Sequence, residues 1–408
     1  MPLSRKPVGF APPPIDEDTI IAVERVLRSG WITSGPELAA FEAEISDFIK
    51  VPMASCFSSW TSACELALRW FGVGPGDEVI IPAMTYAATA NIVLHCGAIP
   101  VMVDVTLDDR VASLEALQSA LTANTKVVMP VDLGGWPVDY QGICEWLCSE
   151  HVKRIFQPAS QNQRALARPL FLADAAHSFG AVYRGRRVGN HADITGFSFH
   201  AVKNLTTAEG GALAFNLPAQ FDLTELQRWF KSMSLHGQSR NALEKTTSGR
   251  WQYDVADAGF KCNMTDIQAA MGRVQLRKYP TQLERRRHVA MLYDAGFKGH
   301  EWYAAPPLES PERTSSFHLF QLRITGFQSK QRDAVMFALK ERGIATNVHF
   351  IPLPLLSLHK NRGESMDPYP NTARLFNESL SLPIHLQLSD DDVHWIISEV
   401  ILAIEAEL

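Results

Sequence analysis

The chain has 408 residues, of which 46% are hydrophobic and 20% charged. That length is more than one compact core usually serves and suits a large domain joined to a smaller one. A formal net charge of −6 argues against a dedicated nucleic-acid binder, and no run of about 18 apolar residues is present to span a bilayer.

Met1–Pro14 carries Arg5 and Lys6 without an apolar stretch, unlike a secretory leader. Ile20, Val23, Val26 and Leu27 recur at helical spacing within Ile15–Ser29, with Asp16 placed to cap. Gly30–Pro36 interrupts, and Glu37–Ile49 resumes an amphipathic helix. Alternation then begins. Apolar runs at Met53–Phe57, Glu78–Ile81, Ile99–Asp104, Lys126–Val131, Pro169–Ala173, Ile194–Phe199 and Ala212–Phe215 predict buried strands. Helical patterns at Thr61–Phe71, Ala87–Cys96, Ser113–Thr122 and Tyr140–Glu150 separate most of them. This order predicts an α/β fold, a mostly parallel sheet with helices on both faces. Ligands of such sheets bind beyond the carboxyl ends of the strands.

His151–Pro169 reads as a polar, mobile excursion, and a helix at Ala219–Lys231 leads into a second polar stretch, Ser232–Gln252. A long helix, Thr265–Arg287, bridges to the second domain. There the pattern predicts a strand at His318–Ile324, a helix at Lys330–Arg342, a strand at Thr346–Phe350 and a last helix at Asp390–Glu405. The expected division is a large domain over residues 1–285, including the N-terminal helical segment, and a smaller C-terminal α/β domain over 286–408.

Six cysteines are scattered along the chain. Cys144 and Cys148 lie one helical turn apart, but no second Cys/His pair stands at ligand spacing, so no metal site is expected. Free thiols point to a reducing cytoplasm.

The residues after the strands carry the chemistry. Ser198–Gly211 (Ser-Phe-His-Ala-Val-Lys-Asn-Leu-Thr-Thr-Ala-Glu-Gly-Gly) places Lys203 on a tight loop between two buried strands. A lysine there is poorly solvated and suited to a Schiff base with a carbonyl. Pyridoxal phosphate held this way needs a carboxylate for its pyridine nitrogen, an aromatic face and donors for its phosphate. Asp174 ends a buried strand, where it is either a turn acid or the partner of a pyridinium. His177 is within reach of the ring hydroxyl, or structural. Ser59-Trp60-Thr61-Ser62 opens a helix, so it either caps that helix or offers its free N–H groups to a phosphate. Ser198 can add a donor, and Tyr86 either stacks on the ring or packs in the core. No one of these signals identifies a cofactor. Their order along the chain matches one known arrangement.

With those segments in view, the chain resembles the fold type I aminotransferases that use pyridoxal phosphate, and more closely the DegT/StrS family of sugar aminotransferases. The similar segments are Arg28-Ser-Gly-Trp-Ile-Thr-Ser-Gly-Pro-Glu, the stretch Gly74–Tyr86, Asp174-Ala-Ala-His-Ser, Ser198–Gly211, Gly259-Phe-Lys-Cys-Asn-Met-Thr-Asp-Ile-Gln-Ala-Ala and Leu382-Pro-Ile. The resemblance implies that Lys203 holds the cofactor and acts as catalyst, with His200 close by. It implies Asp174 at the pyridine nitrogen, His177 at the ring hydroxyl and Tyr86 stacked. Trp60 (through its N–H), Thr61 and Ser198 would bind the phosphate. Asn263 would reach that phosphate from a neighbouring subunit, giving a homodimer with shared active sites; it also stands where it could cap helix Thr265–Arg287. Trp31, Thr33, His236 and Lys261 fall on the substrate side, with Lys231 and Arg240 as further basic candidates.

Two departures stand out. Trp60 occupies the place of the family's usual glycine, and its indole is expected to point toward substrate or partner chain. Val348-His-Phe-Ile-Pro-Leu-Pro-Leu-Leu lacks a histidine that the family often carries. The implied reaction moves an amino group from L-glutamate or glutamine to a keto-sugar, nucleotide-linked and of 4-keto-6-deoxy type, with no nucleic-acid or membrane partner. A sugar dehydratase, a keto-cyclitol aminotransferase and a non-catalytic cofactor-binding sensor are the alternative readings. Lys203 weighs against the first and the lack of a spare module against the last.

Overall fold

The computed structural model describes residues 6–239 and 252–408. Asp16 accepts a hydrogen bond from the Thr19 N–H at 3.0 Å and so starts α1 (Glu17–Ser29), which Gly30 ends in the left-handed conformation. Pro36 opens α2 (Pro36–Ile49) at its first turn. The chain then alternates through β1 (Met53–Phe57), α3 (Trp60–Phe71), β2 (Glu78–Pro82), α4 (Ala87–His95), β3 (Ile99–Val103), α5 (Leu114–Ser119) and β4 (Thr125–Val128). Three helices follow, α6 (Tyr140–Leu147), α7 (Glu150–Ile155) and α8 (Gln161–Leu166). Next come β5 (Leu170–Asp174), a small hairpin of β6 (Val182–Tyr183) and β7 (Arg186–Arg187), β8 (Ile194–Ser198), β9 (Gly211–Phe215) and α9 (Leu223–Met233).

The central sheet has the order β1-β9-β8-β5-β4-β2-β3. β9 runs against both of its neighbours, and the remaining pairs are parallel. Every residue of β1, β5 and β9 is buried, as strands covered on both faces require. Separate apolar cores fill the two faces, one around Phe41, Phe171 and Phe197, the other around Leu66, Ile81 and Phe230. The reversal of β9 positions the site. Gly211 pairs with both Phe57 at the end of β1 and Ser198 at the end of β8, and Asp174 pairs with Gly196 of β8. Strand ends from distant parts of the chain thus share one edge.

The bridging helix, α10 (Asp266–Phe297), starts on a capping box made by Thr265 and Gln268. It runs beyond the expected end at Arg287, because Val289, Ala290, Tyr293 and Phe297 are fully buried against a third core. That core surrounds the sheet β10 (Tyr303–Ala304), β12 (Phe320–Ile324) and β13 (Ser379–Leu382), while β11 (Arg313–Thr314) pairs with β6. Val8 bridges to Ile344 and packs against the same core, so the first described residues lie with the last third of the chain. The closing helix spans Asp390–Glu405, as expected.

Three expectations are corrected. His151–Pro169 is not a loose excursion but holds most of α7 and all of α8. Its polar residues satisfy the open carbonyls at the end of α3: Ser160 Oγ donates to Phe71 O at 2.8 Å, Asn162 Nδ2 to Trp70 O at 2.7 Å and buried Gln163 to Gly72 O at 3.2 Å. Tyr140–Glu150 is not one helix but breaks after Leu147, where Ser149 caps the next. Thr346–Phe350 is not a strand. Asn347 makes one bridge to Ser381, after which the chain leaves the sheet. Sequence periodicity did not mark the helix Pro370–Glu378 or the strand β13 that follows it without a turn.

Candidate active site

A cavity of about 490 Å³ opens at the shared strand edge. The loop after β8 closes on itself: Phe199 N–H donates to Gly210 O and Thr207 N–H to Phe199 O, both at 2.9 Å. Lys203 N–H donates to His200 O at 2.9 Å. The next residue anchors the turn, since Asn204 Nδ2 donates to Ser316 O at 2.7 Å and its Oδ1 lies 3.0 Å from His318 Nδ1. Lys203 is thereby held at the cavity wall. Burial of its amine lowers the pKa to about 8, against the opposing pull of Asp174.

Asp174 is buried at the end of β5 and lines the same cavity. Its Oδ2 accepts from Thr89 Oγ1 at 2.8 Å and its Oδ1 from the Ala176 N–H at 3.2 Å. Burial raises its pKa to about 6, while Thr89, Ala176 and Lys203 favour the charged form. Thr89 Oγ1 is also 2.9 Å from Thr85 Oγ1, so a short hydroxyl chain backs the carboxylate. His177 is buried, and its Nδ1 accepts from the Gly134 N–H at 3.2 Å. Its pKa lies well below the usual value because of burial and the nearby Lys203 charge, so the ring is neutral with its proton on Nε2. His177 also packs on His318, with ring centroids 4.4 Å apart.

Ser59 caps α3 by accepting from the Ser62 N–H at 3.1 Å. The first-turn N–H groups of Trp60 and Thr61 have no partner within the helix, and both residues line the cavity. The expected direction of the Trp60 indole is corrected. Trp60 is 6% exposed, and its ring packs under the sheet over Gly196, where an added Cβ would sit 2.8 Å from Nε1. Gly196 makes the room that the bulky residue needs. Gly211 does the same for the backbone, since a Cβ there would fall 2.3 Å from the Trp60 N. Ser198, Tyr86 and His200 also line the cavity. Tyr86 is 62% exposed, with its ring 5.6 Å from that of Phe350, and His200 stands at the rim, 3.7 Å from Glu209.

The remaining candidates do not line this cavity. Asn263 donates to Ser34 Oγ at 2.7 Å and accepts from the Lys261 amine. It lines a separate 220 Å³ cavity with Lys231. The expectation that Asn263 caps the long helix is corrected, since Thr265 does so. Trp31 Nε1 donates to Ser34 O at 3.2 Å, and Thr33 O accepts from the Asp266 N–H at 3.2 Å. His236 and Lys261 are exposed. Arg240 lies outside the described residues.

A model of the DegT/DnrJ/EryC1/StrS aminotransferase family matches residues 13–401. The chain belongs to this family. Among its relatives, the spore coat polysaccharide biosynthesis protein SpsC of Bacillus subtilis is 34% identical over 397 residues, covering 96% of this chain and 95% of SpsC. Spr1654 from Streptococcus pneumoniae, a proposed sugar aminotransferase, matches in its PMP form with a TM-score of 0.94 and 41% identity, over 98% of this chain and 100% of that one. PseC of Helicobacter pylori, an aminotransferase involved in the biosynthesis of pseudoaminic acid, matches with a TM-score of 0.85 and 27% identity, over 98% and 99%. As a DegT/StrS enzyme of fold type I, the protein is a sugar aminotransferase dependent on pyridoxal phosphate. Among the described residues, no helix is long and apolar enough to cross a membrane.

The residues present fit that cofactor. A helix N-terminus with two unpaired N–H groups suits its phosphate, and a buried carboxylate suits a ring nitrogen that must stay protonated. The volume lies within the range of cofactor pockets. Sequence reading had passed over Thr89, Thr85, His318 and His349, although all four line the cavity. Thr89 lies three residues after Tyr86, in the helical pattern Ala87–Cys96, so its closeness to the aromatic was the available signal. Replacing Thr89 with valine keeps the shape and removes one charge-assisted bond to Asp174. Urea unfolding of the cofactor-free protein at pH 7 is expected to show a loss of about 1–3 kcal/mol, and the Asp174 carboxyl should titrate at higher pH. Unchanged stability and titration would remove Thr89 from the site.

Proposed function

We propose that the protein transfers an amino group from L-glutamate (or glutamine) to a nucleotide-linked 4-keto-6-deoxy sugar, in the making of a polysaccharide or a secondary metabolite. The observation that carries the reading is the meeting, in one cavity beside the start of α3, of the Lys203 amine and the Asp174 carboxyl. The names of SpsC and PseC, one of polysaccharide and the other of pseudoaminic acid biosynthesis, support a sugar acceptor for this chain.

Pyridoxal phosphate, when bound, supplies a ring that accepts the electrons left on a carbon that has lost its proton. Lys203 Nζ would hold the cofactor through its aldehyde carbon. When free, the same nitrogen would serve as the proton carrier for the donor's α-carbon, as base and then acid. A pKa of about 8 leaves part of the amine neutral near pH 7. Asp174 holds a proton on the pyridine nitrogen. His177 Nε2–H would be the donor for the ring hydroxyl, and Tyr86 the aromatic cover for one ring face. The N–H groups of Trp60 and Thr61 and the hydroxyls of Thr61 and Ser198 take the phosphate. His200 meets substrate at the rim.

Asn263, with Trp31, Thr33, His236 and Lys261, serves the site of a second copy, so the working unit is a homodimer with shared active sites. Exposed Ile20, Ile21 and Leu27 on α1 support a covered apolar face nearby. Residues 1–285, apart from the segment around Val8 that joins the C-terminal core, act as the cofactor domain, and 286–408 as a smaller domain that closes the sugar side. Six unpaired thiols suit the reducing cytoplasm.

The test is spectroscopic. The cofactor-loaded protein should lose its visible absorbance on addition of L-glutamate and regain it with a nucleotide-linked 4-keto sugar. Absorbance that no amino donor changes would overturn the reading.

A further inference from the structure

The first described residues form a strap that lines the cavity at Phe10 and Ala11. Val8 N–H donates to Gly343 O at 2.8 Å and Ala345 N–H to Val8 O at 3.1 Å, while Gly9 O lies 3.1 Å from His385 Nε2. Farther along, Gln275 Nε2 donates to Pro14 O at 2.9 Å. Pinned on both sides, the strap presents Phe10 to the cavity. Phe10 is half-buried and is not part of the core that Val8 joins. Its ring stacks on His349, with centroids 5.5 Å apart and planes 23° apart. His349 meets Phe350 edge-on at 5.1 Å, and Phe350 meets Tyr86 at 5.6 Å. Four rings thus run along the side of the cavity, which Asp174 and Lys203 also line. His349 adds no charge to that wall, since burial and the Lys203 amine push its pKa down to about 3.

Resting on the reading above, we propose that Phe10 determines sugar specificity, its ring seating a deoxygenated carbon of the keto-sugar against the wall it forms with His349. A methyl group there gains apolar contact. A hydroxyl in the same place loses water and meets the face of a phenyl ring, which offers no hydrogen bond of ordinary strength.

The experiment uses the loaded enzyme and UDP-linked 4-keto-6-deoxyglucose beside UDP-linked 4-ketoglucose, which differ by one hydroxyl. The two half-reactions are followed separately by stopped-flow absorbance. For Phe10→Ala, kcat/KM toward the deoxy sugar is expected to fall roughly tenfold, mainly through KM, and the preference for the deoxy over the hydroxylated sugar to shrink toward unity. The rate with L-glutamate should change less than about threefold. Phe10→Leu should keep most of the preference, and calorimetric titration with the two UDP-sugars should show the same loss in Phe10→Ala. An unaltered preference, or an equal slowing of both half-reactions, would overturn the proposal while leaving the transaminase reading intact. A wild-type protein that accepts glutamate yet converts neither sugar would overturn the sugar reading and this proposal together.

Discussion

Lys203→Ala is expected to lose transaminase activity by on the order of 10⁴-fold or more, because one substitution removes both the covalent anchor and the proton carrier. The variant should still take up cofactor through the phosphate turn and Asp174, but without the visible absorbance of a lysine-bound aldehyde. A second effect follows from burial. Holding this amine at a pKa of about 8 instead of 10.5 costs stability wherever it is charged. Because the folded-state value lies below the unfolded one, the unfolded chain binds more protons between those two values. Stability therefore rises as pH climbs from about 8 to 10.5, and the cost is full below 8. The cofactor-free Lys203→Met variant is expected to exceed wild type at pH 7 by up to about 3 kcal/mol in urea unfolding. The gap should close at alkaline pH. A methionine variant no more stable than wild type at pH 7 would mean that the lysine is well solvated, against the account.

Asp174→Asn should lower the rate by on the order of 10³-fold, through loss of the charge that keeps the ring nitrogen protonated. Its effect on the cofactor-free protein runs in the opposite direction to that of the lysine. The folded-state pKa of Asp174 is raised to about 6. Its share of stability is present below about pH 4, the unfolded value, and is lost as pH rises through about 6. The wild-type curve should therefore decline relative to the asparagine variant by up to about 3 kcal/mol between pH 4 and 7. Asp132, bound by Ser178 and Tyr140 just behind the site, is raised to about 6 as well. Its decline remains in both proteins, so only the difference between the two curves reports on Asp174. Parallel curves would place that carboxylate in water.

Much of this was legible because it was local. Lys203, Asp174 and Ser59-Trp60-Thr61 each sit at the end of a strand or in the turn that follows it, and each strand is announced by its own run of apolar residues. The parallel sheet then has to gather those ends at one edge. The reversed strand β9 was less evident, since a strand's apolar run does not say which way it points. What escaped notice depends on contacts between distant segments. Thr89 matters because its hydroxyl meets a carboxylate 85 positions away. Phe10 and His349 become neighbours through a pairing between the first residues and Ile344. The polar run His151–Pro169 looked like loop because its composition is that of a loop. Its side chains in fact close the end of α3, a role that appears only once the two segments are adjacent. The Trp60 indole was misplaced for a related reason. The space it needs is made by Gly196, which lies on β8, far along the chain from α3.

The most direct test is to load the protein with pyridoxal phosphate, reduce it with borohydride and map the modified peptide by mass spectrometry. The label is expected on the peptide containing Lys203 and nowhere else. A label on another lysine, or a protein that keeps its visible absorbance after Lys203→Ala, would contradict the assignment of that amine as the attachment point.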